Sequence, residues 1–235
     1  MPTPLWKSIA ATLEADIAAG HYQPGQKLPT EAALALRFGV NRHTVRHAIA
    51  DMAARGIVRS RRGAGVFVQA APTDYPIGRR VRFSQNIRAA GRLPNRQILR
   101  LEPRPCDASE AHLLGIEAGA MVLAYEGLSL AGATVMAHFV SLFPTARLPG
   151  MAQALGENPS ITQALAQLGI GDYLRLSTRI TAEKASAAQA ALLALREGDV
   201  LLRSVAVNAT PDGVPIELGT TWFAGERVAL VVGPD

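Results

Sequence analysis

The chain has 235 residues, 49% hydrophobic and 18% charged, enough to bury one large core or two modest ones. No apolar run reaches the roughly 18–20 residues of a membrane helix, and Glu14 and Asp16 stand where a signal peptide would be apolar, so a cytoplasmic protein without membrane association is expected. The net charge of +5 hides a split: residues 1–104 hold 17 Lys/Arg against 6 Asp/Glu and residues 105–235 hold 7 against 13, so only the front half suits a polyanion.

Trp6, Ile9, Leu13 and Ile17 recur at helical spacing, with Gly20 as a stop and Pro24-Gly25 as a turn. Thr30 can cap a second helix, with Glu31 in its first turn, ending near Phe38-Gly39. Asn41 can cap a third, on which Val45, Ile49 and Met52 make a core stripe while Arg42, His43 and Arg46 point elsewhere. Recognition helices read bases from their first turns, and Arg can be bidentate to guanine. Two strand-like runs, Ile57-Val58 and Val66-Phe67-Val68, flank Arg59-Ser60-Arg61-Arg62-Gly63-Ala64-Gly65. Its glycines permit positive φ and its arginines can reach phosphate. Helix, turn, basic helix and hairpin in that order describe a winged helix-turn-helix, and double-stranded DNA is the expected partner.

The stretches Pro29-Thr30-Glu31, Phe38-Gly39-Val40, Arg42-His43-Thr44-Val45-Arg46 and Gly63-x-Gly65-x-Phe67-Val68 resemble the amino-terminal domain of GntR-type regulators across residues 5–69. Asn41 stands where that family usually has Ser or Thr. The resemblance implies DNA contacts from Thr30, Glu31, Asn41, Arg42, His43, Thr44, Arg46, Arg61, Arg62, Gly63 and Gly65.

Residues 70–81 read as a linker between a DNA-binding domain over 1–69 and a second domain over 82–235. Ser84 can cap a short helix; its start, with Gln85 and Asn86, is either an anion site or a plain cap. An internal echo follows: residues 108–127 resemble residues 185–205, each read as a short Ser-capped helix, a Gly turn and a strand, then a returning strand. Two related halves around one mostly antiparallel sheet with flanking helices are expected, making the chain a two-domain α+β protein. A helix near 160–168 joins the halves, and a pocket between them is a natural ligand site.

This layout resembles the UTRA-like effector domain of the HutC branch of GntR regulators, whose fold is similar to chorismate lyase. Arg82-Phe83-Ser84-Gln85-Asn86, Glu126-Gly127-Leu128-Ser129, Asp172-Tyr173-x-Arg175 and Thr178-Arg179 look like the repressors of phosphonate-utilisation operons. Many relatives carry Asp-Gly-x-Pro where this chain has Ala131-Gly132-Ala133-Thr134, and Arg-Gly-Asp where it has Ala224-Gly225-Glu226. The resemblance implies a homodimeric, ligand-responsive repressor on a palindromic operator, released by a small anionic effector such as a phosphonate or phosphorylated metabolite.

Effector candidates are Ser84, Gln85, Asn86, Ser129, Tyr173, Arg175, Arg179 and Glu217. Period two puts Tyr173, Arg175 and Arg179 on one face, as a phosphate clamp or as a surface ladder paired with acids such as Glu183. Glu217 either meets an amine or hydroxyl or faces solvent; His138 and Cys106 read as core residues. No nucleophile elbow, phosphate loop or zinc-spaced Cys/His set occurs, so no catalytic residues, metal or cofactor are expected. A DNA-tethered enzyme of lyase-like fold is the alternative, on fold analogy alone.

Overall fold

The computed structural model describes residues 4–61, 63–69, 72–78 and 94–232, and divides into two compact units that meet between Ala71 and Pro72.

The first unit packs three helices against a hairpin. Helix α1 (Leu5–Ala18) buries Ile9 and Leu13; α2 (Glu31–Phe38) buries Leu34; α3 (Arg42–Ala54) buries Val45, Ile49 and Met52. The Thr30 hydroxyl accepts from Ala33 N at 3.2 Å and Asn41 Oδ1 accepts from Thr44 N at 2.9 Å, so both predicted caps form. Gly39 closes α2 at φ 63°, where a side chain would be strained. Strands β1 (Val58–Arg61) and β2 (Gly65–Val68) pair antiparallel, with Arg61 opposite Gly65. β1 therefore runs further into the arginine stretch than the apolar pair Ile57-Val58 indicates, because cross-strand pairing rather than hydrophobicity sets its end. Lys27 bridges to Phe67 and widens the wing.

The second unit is built on a six-stranded antiparallel sheet in the order β4-β5-β6-β9-β8-β7. Its strands are β4 (Pro94–Pro105), β5 (Met121–Ala131), β6 (Thr134–Pro144), β7 (Leu174–Lys184), β8 (Val200–Ala209) and β9 (Pro215–Ala224). The order is that of two three-stranded halves joined through the β6–β9 pair; the internal echo predicts the helix and the two inner strands of each half, and β4 and β7 extend the pattern one strand outward. Each half has a helix on one shared face: α4 (Ala108–Leu114) lies among Leu142, Val207 and Leu218, and α7 (Ala187–Leu193) beside Leu201 and Trp222. Both carry a capping box, but only α7 is Ser-capped; Asp107 caps α4, and Ser109 instead donates to Asp107 Oδ1 at 2.7 Å. The opposite face carries α5 (Met151–Glu157) and α6 (Ile161–Gln167) over Tyr125, Phe139, Phe143 and Ile216.

Within the stretch expected to be linker, Thr73–Ile77 forms β3, parallel to β10 (Val228–Val232). Its exposure alternates: Tyr75 is buried while Asp74 and Pro76 are exposed. Pro76 obscured that period, yet proline is tolerated in a strand at the edge of a sheet.

Candidate functional site

Two sites emerge, one in each unit. In the first, Arg42, His43 and Arg46 are exposed on the first turns of α3, opposite its buried stripe. Arg46 is not isolated: its Nε lies 3.2 Å from both Glu31 oxygens and its Nη2 donates to Oε2 at 2.8 Å. The Arg46 guanidinium holds the Glu31 carboxyl below the usual carboxylate range. The oxygens of Thr30 and Asn41 are engaged as caps, and Thr44 also donates its hydroxyl to Asn41 Oδ1 at 3.0 Å. Gly63 (φ 74°) and Gly65 (φ 114°) form the wing turn. Arg62 lies outside the described residues. Lys27 was missed by motif reading: a Cβ on Gly65 would stand 2.6 Å from its Cε, so this exposed cation lies against the wing.

In the second unit the sheet face beside α5 and α6 opens into a cavity of about 850 Å³, counting the solvent at its mouth. Arg96, Ser129, Ser141, Asn208, Glu217 and Arg175 line it from the sheet; Ser160, Ile161 and Thr162 line it from the start of α6; Tyr75, Ile77 and Leu230 line it from β3 and β10. The predicted Ser129, Tyr173, Arg175 and Glu217 are thus brought together. Glu217 is only 5% exposed, so the solvent-facing alternative does not hold. Its Oε1 accepts from Ser141 Oγ at 2.7 Å and its Oε2 from Asn208 Nδ2 at 2.7 Å. Arg175 Nε donates to Asn208 Oδ1 at 3.4 Å, and the Tyr173 hydroxyl lies 3.0 Å from Thr162 Oγ1.

Arg179 does not join them. A β-bulge at Leu176 inserts one residue between Arg175, which faces Asn208, and Ser177, which faces Val207. The extra residue reverses the alternation, so Arg179 pairs with Val205 on the opposite face of the sheet. Ser84, Gln85 and Asn86 lie outside the described residues. His138 is buried on that opposite face, its Nε2 2.8 Å from Glu126 Oε1 and its ring stacked on Trp222 at 5.2 Å. Cys106 is buried, as expected of a core residue.

Arg96 is the cavity residue that sequence reading missed. Its guanidinium lies over the Phe139 ring, 4.7 Å from the centroid. The 79-residue offset that relates Leu114 to Leu193 also relates Arg96 to Arg175 and Ser129 to Asn208. Arg96 sits across from Ser129, and Arg175 from Asn208, in matching registers of the two halves. Carrying the echo back one strand would have found it.

The profile described as "Bacterial regulatory proteins, gntR family" matches residues 5–68, and the one described as "UTRA domain" matches residues 89–229. An HTH-type transcriptional regulator of Rhizobium meliloti (strain 1021) is 36% identical over 98% of this chain and 95% of its own length. The Escherichia coli (strain K12) protein described as "Probable transcriptional regulator PhnF" is 35% identical over 77% of this chain and 75% of its own. In fold, the crystal structure of PhnF from Mycobacterium smegmatis superposes with a TM-score of 0.67, covering 97% of this chain and 99% of that one at 24% identity. A winged helix-turn-helix followed by a polar cavity in a two-fold repeated sheet, with these matches across nearly the whole chain, makes it a member of the GntR family with a UTRA domain: a ligand-responsive transcriptional regulator and not an enzyme.

Proposed function

We propose that the protein is a cytoplasmic homodimeric repressor that binds a palindromic operator and leaves it when a small anionic effector, a phosphonate or phosphorylated metabolite, enters the UTRA cavity. The carrying observation is that two arginines, Arg96 and Arg175, line one largely polar cavity in a chain whose other unit reads DNA. Planar guanidinium groups suit phosphate and phosphonate oxygens. The phosphonate class is further supported by the resemblance of the segments around Ser84, Ser129, Tyr173 and Arg179 to phosphonate-operon repressors. Ser129, Tyr173, Arg175 and Glu217 are the effector contacts in this reading, with Ser84–Asn86 as further candidates.

Chain continuity supplies the coupling. β3 begins two residues after the boundary at Ala71, and its Tyr75 and Ile77 line the cavity. An effector that packs against those side chains acts on the strand continuous with the DNA-binding unit. It releases DNA only insofar as it prefers the arrangement that does not bind DNA.

The test is a gel-shift titration on the chain's own promoter region, with methylphosphonate, inorganic phosphate and glucose 6-phosphate as probes, beside a thermal-shift series with the same compounds. At least one probe raises the melting temperature and releases the DNA. If none does either, the anionic class is wrong. Sedimentation equilibrium tests the homodimer; a monomer at operator-binding concentration overturns it.

A further inference from the structure

The cavity is built on a repeat and departs from it at one place. Arg96 and Arg175 occupy matching positions on the outer strands, and Ser129 and Asn208 match on the next strands inward. On the central strands the match breaks: Ser129 faces Ala137, whereas Asn208 faces Glu217. One end of the cavity therefore holds an arginine over an aromatic ring beside a small hydroxyl. The other holds a continuous hydrogen-bond chain from Arg175 through Asn208 and the Glu217 carboxylate to Ser141.

Among the described residues the cavity's charged side chains are Arg96, Arg175 and Glu217. A carboxylate withdrawn from water is stabilised by a cation, so a ligand that carries an ammonium beside its anion meets groups of both signs. The two ends also differ in charge: one holds Arg96, and at the other the Glu217 carboxylate offsets Arg175. The carboxylate of Glu217 repels an anion from the Asn208 end and leaves the Arg96–Ser129 end to receive it. Each Glu217 oxygen has more than one lone-pair site, so it can accept from a ligand as well as from Ser141 and Asn208.

We infer that the effector is a short amino-bearing anion, its phosphonate or phosphate held at Arg96 and Ser129 and its primary ammonium held by Glu217. This rests on the anionic-effector reading above and narrows it.

Calorimetric titration of the full chain with methylphosphonate, 2-hydroxyethylphosphonate and 2-aminoethylphosphonate keeps the anion fixed and changes only the far end. A charge-assisted contact to a buried carboxylate gives the amine an advantage of about tenfold or more over both others. Glu217→Gln, which preserves shape, brings that ratio close to one, while Arg96→Met weakens all three. Equal wild-type affinities, a stronger hydroxyl compound, or an amine preference that survives Glu217→Gln overturns the inference and leaves the anionic-effector reading standing. Failure of all three and of inorganic phosphate to bind removes both. If Glu217→Gln does not fold by circular dichroism, the wild-type series still decides.

Discussion

Arg147 and Arg227 perform the same task in the two halves of the UTRA unit. Arg147 donates to the carbonyls of Leu114 (2.7 Å) and Gly115 (2.6 Å) at the end of α4, and to Pro215 O (2.6 Å) at the start of β9. Arg227 donates to Leu193 O (2.7 Å) and Ala194 O (2.8 Å) at the end of α7, and to Val135 O (2.6 Å) in β6. Each arginine follows the central strand of one half. It satisfies the open carbonyls at the end of a helix and ties that helix to the facing central strand. Hydrogen bonds from a charged donor are each worth about 1.5–3 kcal/mol, less in a group partly exposed, so Arg147→Ala or Arg227→Ala should cost about 2–4 kcal/mol. Urea denaturation of the two variants should give similar losses; a loss confined to one would show that the halves are not energetically equivalent.

The same comparison singles out Ala194. Gly115 ends α4 at φ 59°, and Ala194 ends α7 at φ 50°, the only non-glycine with positive φ among the described residues. A left-handed alanine costs about 1–2 kcal/mol, part of which glycine gives back through its greater freedom when unfolded. Ala194→Gly should therefore stabilise the unit by roughly 0.5–1 kcal/mol. An unchanged or lower urea midpoint would show that the strain is relieved elsewhere.

In the DNA-binding unit, Glu31 holds Arg46 through three short N–O contacts, while Arg42 stands one turn earlier. Arg42→Ala and Arg46→Ala should each cost roughly 1–3 kcal/mol on the operator and relax preference at one base pair per half-site. Glu31→Ala should act differently. Removing an anion near the backbone strengthens non-specific binding, and releasing Arg46 from its fixed orientation weakens discrimination, so the ratio of operator to random-sequence affinity falls. Lys27→Ala should weaken both about equally and reduce the salt slope by about one. Competition gel shifts at several salt concentrations separate these outcomes; an unchanged specificity ratio in Glu31→Ala would assign Glu31 to stability alone.

Acid should loosen α4 through a defined pair. Arg104 donates to both Glu110 oxygens at 2.7 and 2.6 Å, and Asp107 N donates to Glu110 Oε2 at 3.0 Å. The Arg104 guanidinium holds Glu110 below its ordinary value of 4.5, and the backbone N–H of Glu110 holds Asp107 below 3.8. Depressed folded values mean a contribution fully present above the unfolded values and lost as pH falls through the folded ones. Glu110→Gln should remove that component below about pH 4.5, flattening the acid limb of the melting profile relative to wild type. Parallel acid limbs would contradict it.

The DNA-binding unit was almost wholly legible because its signals are local: caps at Thr30 and Asn41, a buried period on α3, and glycines at the wing turn. The sheet's halves were legible because a repeat is a comparison within one chain. What escaped depends on register. The bulge at Leu176 that turns Arg179 away leaves no mark in composition, and the cap of α4 passed from Ser109 to Asp107 two residues upstream. Arg96 lay one strand before the start of the echo, in a segment whose alternation is broken by a second bulge between Ile98 and Arg100.

That strand also explains a glycine. A Cβ at Gly127 would stand 2.6 Å from the Gln97 carbonyl oxygen and 2.9 Å from Phe139 Cζ. The carbonyl belongs to the β4 ladder and cannot swing aside, so the added methyl must displace either β4 or the Phe139 ring. Both lie beside Arg96, which neighbours Gln97 in the chain and rests on that ring. Overpacking of this kind costs roughly 1–3 kcal/mol, so Gly127→Ala should lower the melting temperature. It should also weaken effector binding by more than the stability change accounts for, because the guanidinium moves with its support. The check is a thermal-shift titration of Gly127→Ala and wild type with an effector that stabilises the wild type. A lower melting temperature with an undiminished ligand-induced rise would place the anion away from Arg96; an unchanged melting temperature would mean that β4 yields more readily than its ladder suggests.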